Sequence, residues 1–318
     1  VSEEFKPELL EKLPKVDTVN ITGGEPFVRE DIEDIVKILF TKTKRIVFST
    51  SGYYSDRIIQ LARKYPQLGF RISIEGLSCK NDELRGRPGG FDKGLKTLLE
   101  LRRMGVKDIG FGITVSNNNS SDMLQLYELN RNLKMEFATA SFHNSFYFHK
   151  YDNKVTNIDE VCGNFDELIQ RLMNEKHPKS WFRAFFNLGL INYVKGGRRM
   201  LPCEAGTENF FIDPYGNVLP CNGMEESCWF DTMGNLHDVE DFMTLWTGAK
   251  AKAVRDKVAN CPKSCWMIGS ASPVMKKYIT KVAPWVLKNK LKVMRGGRVD
   301  TTCIPFFHVG NNDKQGLR

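Results

Sequence analysis

Five of the eight cysteines in this 318-residue chain, Cys203, Cys221, Cys228, Cys261 and Cys265, fall within one stretch of 63 residues. Thiolates at such density are ligands for soft metals before anything else. Cys203 and Cys221 form one pair, and Cys261-Pro-Lys-Ser-Cys265 forms a second, with 39 residues between the two pairs. On spacing alone a zinc ion and an iron–sulfur cluster are both admissible, with unliganded core thiols as the plain alternative. The segment FFIDPYGNVLPC (210–221) reads as a β-hairpin turning at Asp213-Pro214-Tyr215-Gly216, which would return Cys221 beside Cys203. The other segment suited to chemistry is Gly23-Gly24-Glu25-Pro26. Two glycines let a backbone leave a strand sharply and come close to a ligand. Glu25 adds a carboxylate suited to an ammonium group, and Pro26 stiffens the exit into a helix near Glu30. An ordinary βα turn is the plainer reading of the same tetrapeptide. No nucleotide phosphate loop is present.

The elements that must position these groups alternate. Strand-like runs TVNIT (18–22), RIVFS (45–49), GFRISI (69–74), DIGFGITV (108–115) and MEFATA (135–140) are separated by helical patterns such as IEDIVKILF and DRIIQLARKY. This alternation predicts an α/β fold with a parallel sheet. Each strand is followed by small or polar residues: Gly23-Gly24-Glu25, Thr50-Ser51-Gly52, Glu75-Gly76, Ser116 with three asparagines, and Ser141 with His143. In a parallel α/β barrel such ends open on one face, where ligands bind. His143, Tyr147 and His149 follow the last strand and face either substrate or loop; Arg85 and Arg87 are equally a ligand contact or solvated. Residues 163–195 read as helical, Gly196-Gly197-Arg198-Arg199 as a linker, and 283–294 as one helix of a tail. The expected domains are a barrel over 1–195, a cysteine-rich domain over 196–270 and a basic tail over 271–318.

A mean hydropathy of −0.36 and the lack of any long apolar run argue against a transmembrane segment. The acidic N-terminus is not a signal peptide, so a cytoplasmic protein with reduced thiols is expected. Net charge is +8, yet Lys257–Arg298 holds ten Lys and Arg and no acid, leaving the rest at −2. That tail is either a solvated face or a peripheral contact for an anionic surface such as a lipid headgroup. Nucleic-acid binding lacks the expected aromatic interleaving and any motif.

VNITGGEPF, then FSTSG, RISIEGL and LRGRPGGFDKGLKTLLELRRMG, over residues 16–145, resemble the radical S-adenosylmethionine superfamily. The resemblance implies a partial (β/α)6, TIM-like barrel lacking its first strand, in which Gly23, Gly24 and Glu25 bind the methionine ammonium of S-adenosylmethionine, with Pro26 completing the turn. Ser49 or Ser51, then Ser73 and Glu75, then Asn117 would hold its carboxylate, ribose and adenine. The family's Cys-x3-Cys-x2-Cys loop, which holds the [4Fe-4S] cluster that cleaves the cofactor, has no counterpart between Val1 and Arg318. We expect N-terminal truncation, with that second cluster on the missing loop; a chain without the loop would be inactive. Cys203-x12-Gly216-x4-Cys221, Met233-Gly234-Asn235-Leu236, Arg255 and Cys261-x3-Cys265 are similar to the SPASM/twitch extension. This implies one auxiliary [4Fe-4S] cluster on Cys203, Cys221, Cys261 and Cys265, with Cys228 as a substitute ligand.

The implied function is that of a radical enzyme: a 5′-deoxyadenosyl radical abstracts a substrate hydrogen, an external flavodoxin- or ferredoxin-type donor supplies the electron, and the substrate is a peptide or protein, a cofactor precursor or a sugar. A non-catalytic S-adenosylmethionine-binding homologue with a structural four-cysteine metal site is the alternative.

Overall fold

The structure, a computed structural model, describes residues 4–145, 149–224 and 231–307. Five strands, β1 (Val19–Ile21), β2 (Ile46–Thr50), β3 (Gly69–Ser73), β4 (Ile109–Val115) and β5 (Glu136–Ser141), form one sheet in chain order. The pairs β1–β2, β2–β3 and β3–β4 are parallel. Helices α1 (Ile32–Lys42), α2 (Ser55–Lys64), α3 (Ser78–Arg85), α4 (Gly90–Arg103) and α5 (Ser120–Asn132) fill the connections. This is the expected α/β arrangement of a curled partial barrel.

Register explains how the two faces divide. Phe48 pairs with Phe70 and Ile72 with Phe111, and these side chains are fully buried. Phe27 completes an aromatic stack, with its centroid 5.0 Å from Phe48, which lies 5.7 Å from Phe70. Burying rings of this size contributes on the order of 2–3 kcal/mol each. On the opposite pleat Ser49 pairs with Arg71, Arg71 with Gly110, and Ser73 with Gly112. That face is small and polar. At the strands' starting edge Arg71 and Arg45 hold Asp108, at 2.5 and 2.9 Å. Burial would raise the Asp108 carboxyl, but the two guanidiniums outweigh it and hold it below the usual carboxylate range.

Contacts divide the chain into two compact units: Val1–Ala140 with Ile212–Leu219 and Asp231–Lys252, and Ser141–Phe211 with Pro220–Phe230 and Ala253–Arg318. A small sheet of β6 (Phe211–Ile212), β7 (Asn217–Leu219) and β8 (Gly234–Asn235) is followed by α8 (Phe242–Thr247) and α9 (Ala249–Ala259). The hairpin turn forms as expected: Asp213 Oδ1 accepts from Tyr215 N and Asn217 N, both at 2.9 Å. The second unit is built on α6 (Ile158–Asn174) and α7 (Pro178–Val194). Gly196, at φ +72°, ends the turn that follows α7.

The tail differs from the expected single helix. Two helices occur, α10 (Ile268–Lys277) and α11 (Ile279–Met294), each with an internal proline, Pro273 and Pro284. A proline takes away the donor for the carbonyl four residues back. Those residues, Gly269 and Thr280, are exposed, so water can serve them. Helix α11 buries Val282 and Val286, and its Trp285 meets Phe185 edge-on at 5.2 Å. Leu287, Leu291 and Met294 on it are exposed.

Candidate functional site

The turn after β1 is exposed at Gly23 and Gly24, and a Cβ built on either would meet nothing within 4 Å. No protein neighbour requires these glycines. Their missing side chains leave open room over a bare backbone, which suits a small ligand reaching main-chain groups.

Glu25 faces inward and ties β1 to β2. Its Oε1 accepts from Phe27 N at 3.2 Å and Thr50 Oγ1 at 2.6 Å. Its Oε2 accepts from Ser51 N at 2.9 Å and Ser51 Oγ at 2.5 Å. Two carboxylate oxygens offer about four acceptor positions, so these donors fill them. Glu25 thus fixes the backbone on which Gly23 and Gly24 are presented. Gly52 closes the same corner: it has φ +73°, and a Cβ there would come within 2.8 Å of Ile72 and 3.1 Å of the Gly94 backbone.

Glu75 does for β3 and β4 what Glu25 does for β1 and β2. Its Oε2 accepts from Thr114 N at 2.8 Å, and Arg85 reaches its Oε1 at 3.3 Å. Asn119 completes the link, donating to Glu75 O at 2.8 Å and Thr114 O at 3.0 Å while accepting from Ser116 N at 2.7 Å. Burial pushes the Glu75 carboxyl up, against the opposing pull of Thr114 N–H and Arg85. Between the ordinary glutamate value and this raised one, the folded chain keeps a proton that the unfolded chain has lost, so stability falls as pH rises through that window. Glu75→Gln is therefore expected to gain on the wild type in urea midpoint as pH rises above the ordinary glutamate value of 4.5. A difference between the two that stays constant with pH would contradict this.

Among the other expected site residues, Ser49 Oγ lies 3.4 Å from Asn20 Oδ1. Ser73 is half-buried, and its hydroxyl has no hydrogen bond among the described residues. Asn117 is half-buried on the loop after β4. Arg85 reaches Glu75, whereas Arg87 stacks on Tyr53 at 3.6 Å. His143 and His149 belong to the second unit, the former half-buried and the latter exposed. Tyr147 and Cys228 lie outside the described residues. The sequence assigns no role to Thr50 or Asn119. Position alone could have found Asn119, which directly precedes α5.

In the second unit Cys203, Cys221, Cys261 and Cys265 are all half-buried, while Cys79 and Cys303 are exposed. Burial pushes the Cys221 thiol up to about 12, opposed by the Gly223 N–H and reinforced by the charges of Cys265, Cys203 and Cys261. The four thiols are thus within electrostatic reach of one another. Among the described residues no three His, Cys, Asp or Glu side chains gather around one metal ion. The all-sulfur donor set fits an iron–sulfur cluster. No described helix is long and apolar enough to cross a membrane.

Residues 3–129 match the radical SAM superfamily, and residues 203–267 match an iron–sulfur cluster-binding domain of SPASM type. The Fe-coproporphyrin III synthase of Methanosarcina barkeri is 32% identical over 111 residues, 34% of this chain and 27% of that protein. The sporulation killing factor maturation protein SkfB of Bacillus subtilis is 25% identical over 260 residues, 76% of this chain and 56% of that one. The chain therefore spans about a quarter of the first relative and just over half of the second. A solved structure described as native anSMEcpe with bound AdoMet and Kp18Cys peptide superposes with a TM-score of 0.56 at 12% identity, covering 90% of each chain, which shows the shared fold. The chain thus carries a radical SAM domain over residues 3–129 and a SPASM-type iron–sulfur domain over residues 203–267.

Proposed function

We propose that this protein is a radical S-adenosylmethionine enzyme that abstracts a hydrogen atom from a peptide substrate and carries one auxiliary [4Fe-4S] cluster on Cys203, Cys221, Cys261 and Cys265. The observation that carries the reading is the Gly23-Gly24 turn, bare of neighbours and held from behind by a saturated Glu25. A maturation protein aligned over three quarters of the chain supports a peptide as substrate. S-adenosylmethionine with a reduced cluster supplies the hydrogen-abstracting radical when both are bound, an external donor providing the electron.

The chain's own residues bind and orient. The exposed backbone of Gly23 and Gly24 meets the methionine ammonium. The hydroxyls of Ser49, Ser51 and Ser73, with Asn117 and the remaining acceptor positions of Glu75, hold its carboxylate and nucleoside. Pro26, buried in the short turn after Glu25, keeps that backbone from relaxing inward.

Calorimetric titration of the chain with S-adenosylmethionine tests this reading. Gly24→Val adds a side chain where nothing stands within 4 Å, so the fold is expected to be kept. Affinity is expected to fall at least tenfold, about 1.4 kcal/mol. Wild-type binding unaffected by the valine, or no binding by the wild type, would sink the assignment.

A further inference from the structure

The four cysteines are not flanked by random surface. Arg199 Nε donates to Pro202 O at 3.4 Å, its Nη2 to Ser270 O at 3.1 Å, and its Nη1 to Cys265 O. One guanidinium therefore joins the residue before Cys203 to Cys265 itself. It also lies over the Trp266 ring, 5.1 Å from the centroid, and that indole is anchored by its own bond to Phe186 O at 2.9 Å. Lys263, between Cys261 and Cys265, donates to Gly223 O at 2.8 Å and to Asn144 O at 3.3 Å. It joins the second cysteine pair to the segment that follows Cys221.

Two cations thus bridge the three segments that bear the four thiols. Neutral side chains could have tied these backbones together. Positive ones do so while standing beside groups that become negative together. A cluster held by four thiolates is anionic, and reduction adds one more negative charge. Nearby fixed positive charge favours the reduced form.

We propose that Arg199 and Lys263 form a cationic frame that holds the cysteine-bearing segments in place and raises the reduction potential of the cluster they bind. They are positioning residues and are not ligands. The inference rests on the assignment of the cluster to Cys203, Cys221, Cys261 and Cys265.

The test is an anaerobic reconstitution of the full chain and of Arg199→Gln, Arg199→Lys and Lys263→Gln, with iron content and a redox titration followed by electron paramagnetic resonance. Arg199→Gln and Lys263→Gln are each expected to disfavour reduction about tenfold, about 59 mV for one electron, and Arg199→Lys to recover most of that shift. Wild-type iron and wild-type midpoints in both glutamine variants would overturn the frame. Should Arg199→Gln fail to fold, Lys263→Gln decides alone, since it leaves the guanidinium bonds intact. A wild type that takes up no iron would instead defeat the ligand assignment.

Discussion

Glu25→Ala is expected to lower the stability of the ligand-free chain by about 3 kcal/mol, besides weakening S-adenosylmethionine binding. The substitution strands four donors at once: Phe27 N, Thr50 Oγ1, Ser51 N and Ser51 Oγ. The two hydroxyls can rotate toward other partners, but the Phe27 amide sits in a residue with no exposure, and the Ser51 amide is fixed by the strand end. Bonds to an ionised acceptor contribute roughly 1.5–3 kcal/mol each, and a buried donor left unsatisfied costs about 1–3 kcal/mol. Glu25→Gln is an intermediate case, because its amide nitrogen would face donors at one of the two positions. Chemical denaturation without any ligand separates the two roles this residue could have. A carboxylate kept only to meet an ammonium group would leave the free protein as stable as the wild type, and that result would contradict the strand-tying role.

The sheet carries a second sharp contrast. A Cβ at Gly110 would run into the backbone of Glu136, where β5 begins, whereas one at Gly112, two residues along the same pleat, would meet nothing within 4 Å. Gly110→Ala cannot be absorbed by a side-chain rotation, since backbone stands in the way. It requires β4 and β5 to separate. We expect a loss of about 3 kcal/mol or more, at the upper end for overpacking, and Gly112→Ala to stay within about 1 kcal/mol of the wild type. Urea midpoints of the pair decide it: similar values for both variants would show that β5 does not approach β4 as described.

Much of the fold is legible in the sequence, and the reasons are local. All five strands follow from apolar runs rich in β-branched and aromatic residues. Strand β4 shows why, with Ile109, Phe111, Ile113 and Val115 on the covered face and Gly110, Gly112 and Thr114 on the other. Helix α3 escapes a sequence reading because Ser-Cys-Lys-Asn-Asp-Glu-Leu-Arg has no apolar periodicity, and the one side chain it buries is Asn81. The helices of the tail are longer than the sequence suggests because Pro273 and Pro284 read as breakers, whereas their orphaned carbonyls lie at exposed residues. At the candidate site, residue type suggests polar strand ends but not what each end does. That Glu25 is engaged by Thr50 and Ser51 is a fact of tertiary register. So is the link from Asn119 to Glu75, 44 residues earlier. Arg199 reads as linker because no local pattern joins it to Cys265, 66 residues away.

Iron and sulfide content after anaerobic reconstitution decides whether the SPASM-type domain holds an iron–sulfur cluster on Cys203, Cys221, Cys261 and Cys265. About four irons and four sulfides per chain are expected from this domain, with uptake lost in Cys221→Ala and in Cys261→Ala and kept in Cys79→Ala and Cys303→Ala, whose thiols are exposed. Stoichiometric zinc in place of iron, or iron uptake indifferent to Cys221 and Cys261, would contradict that assignment.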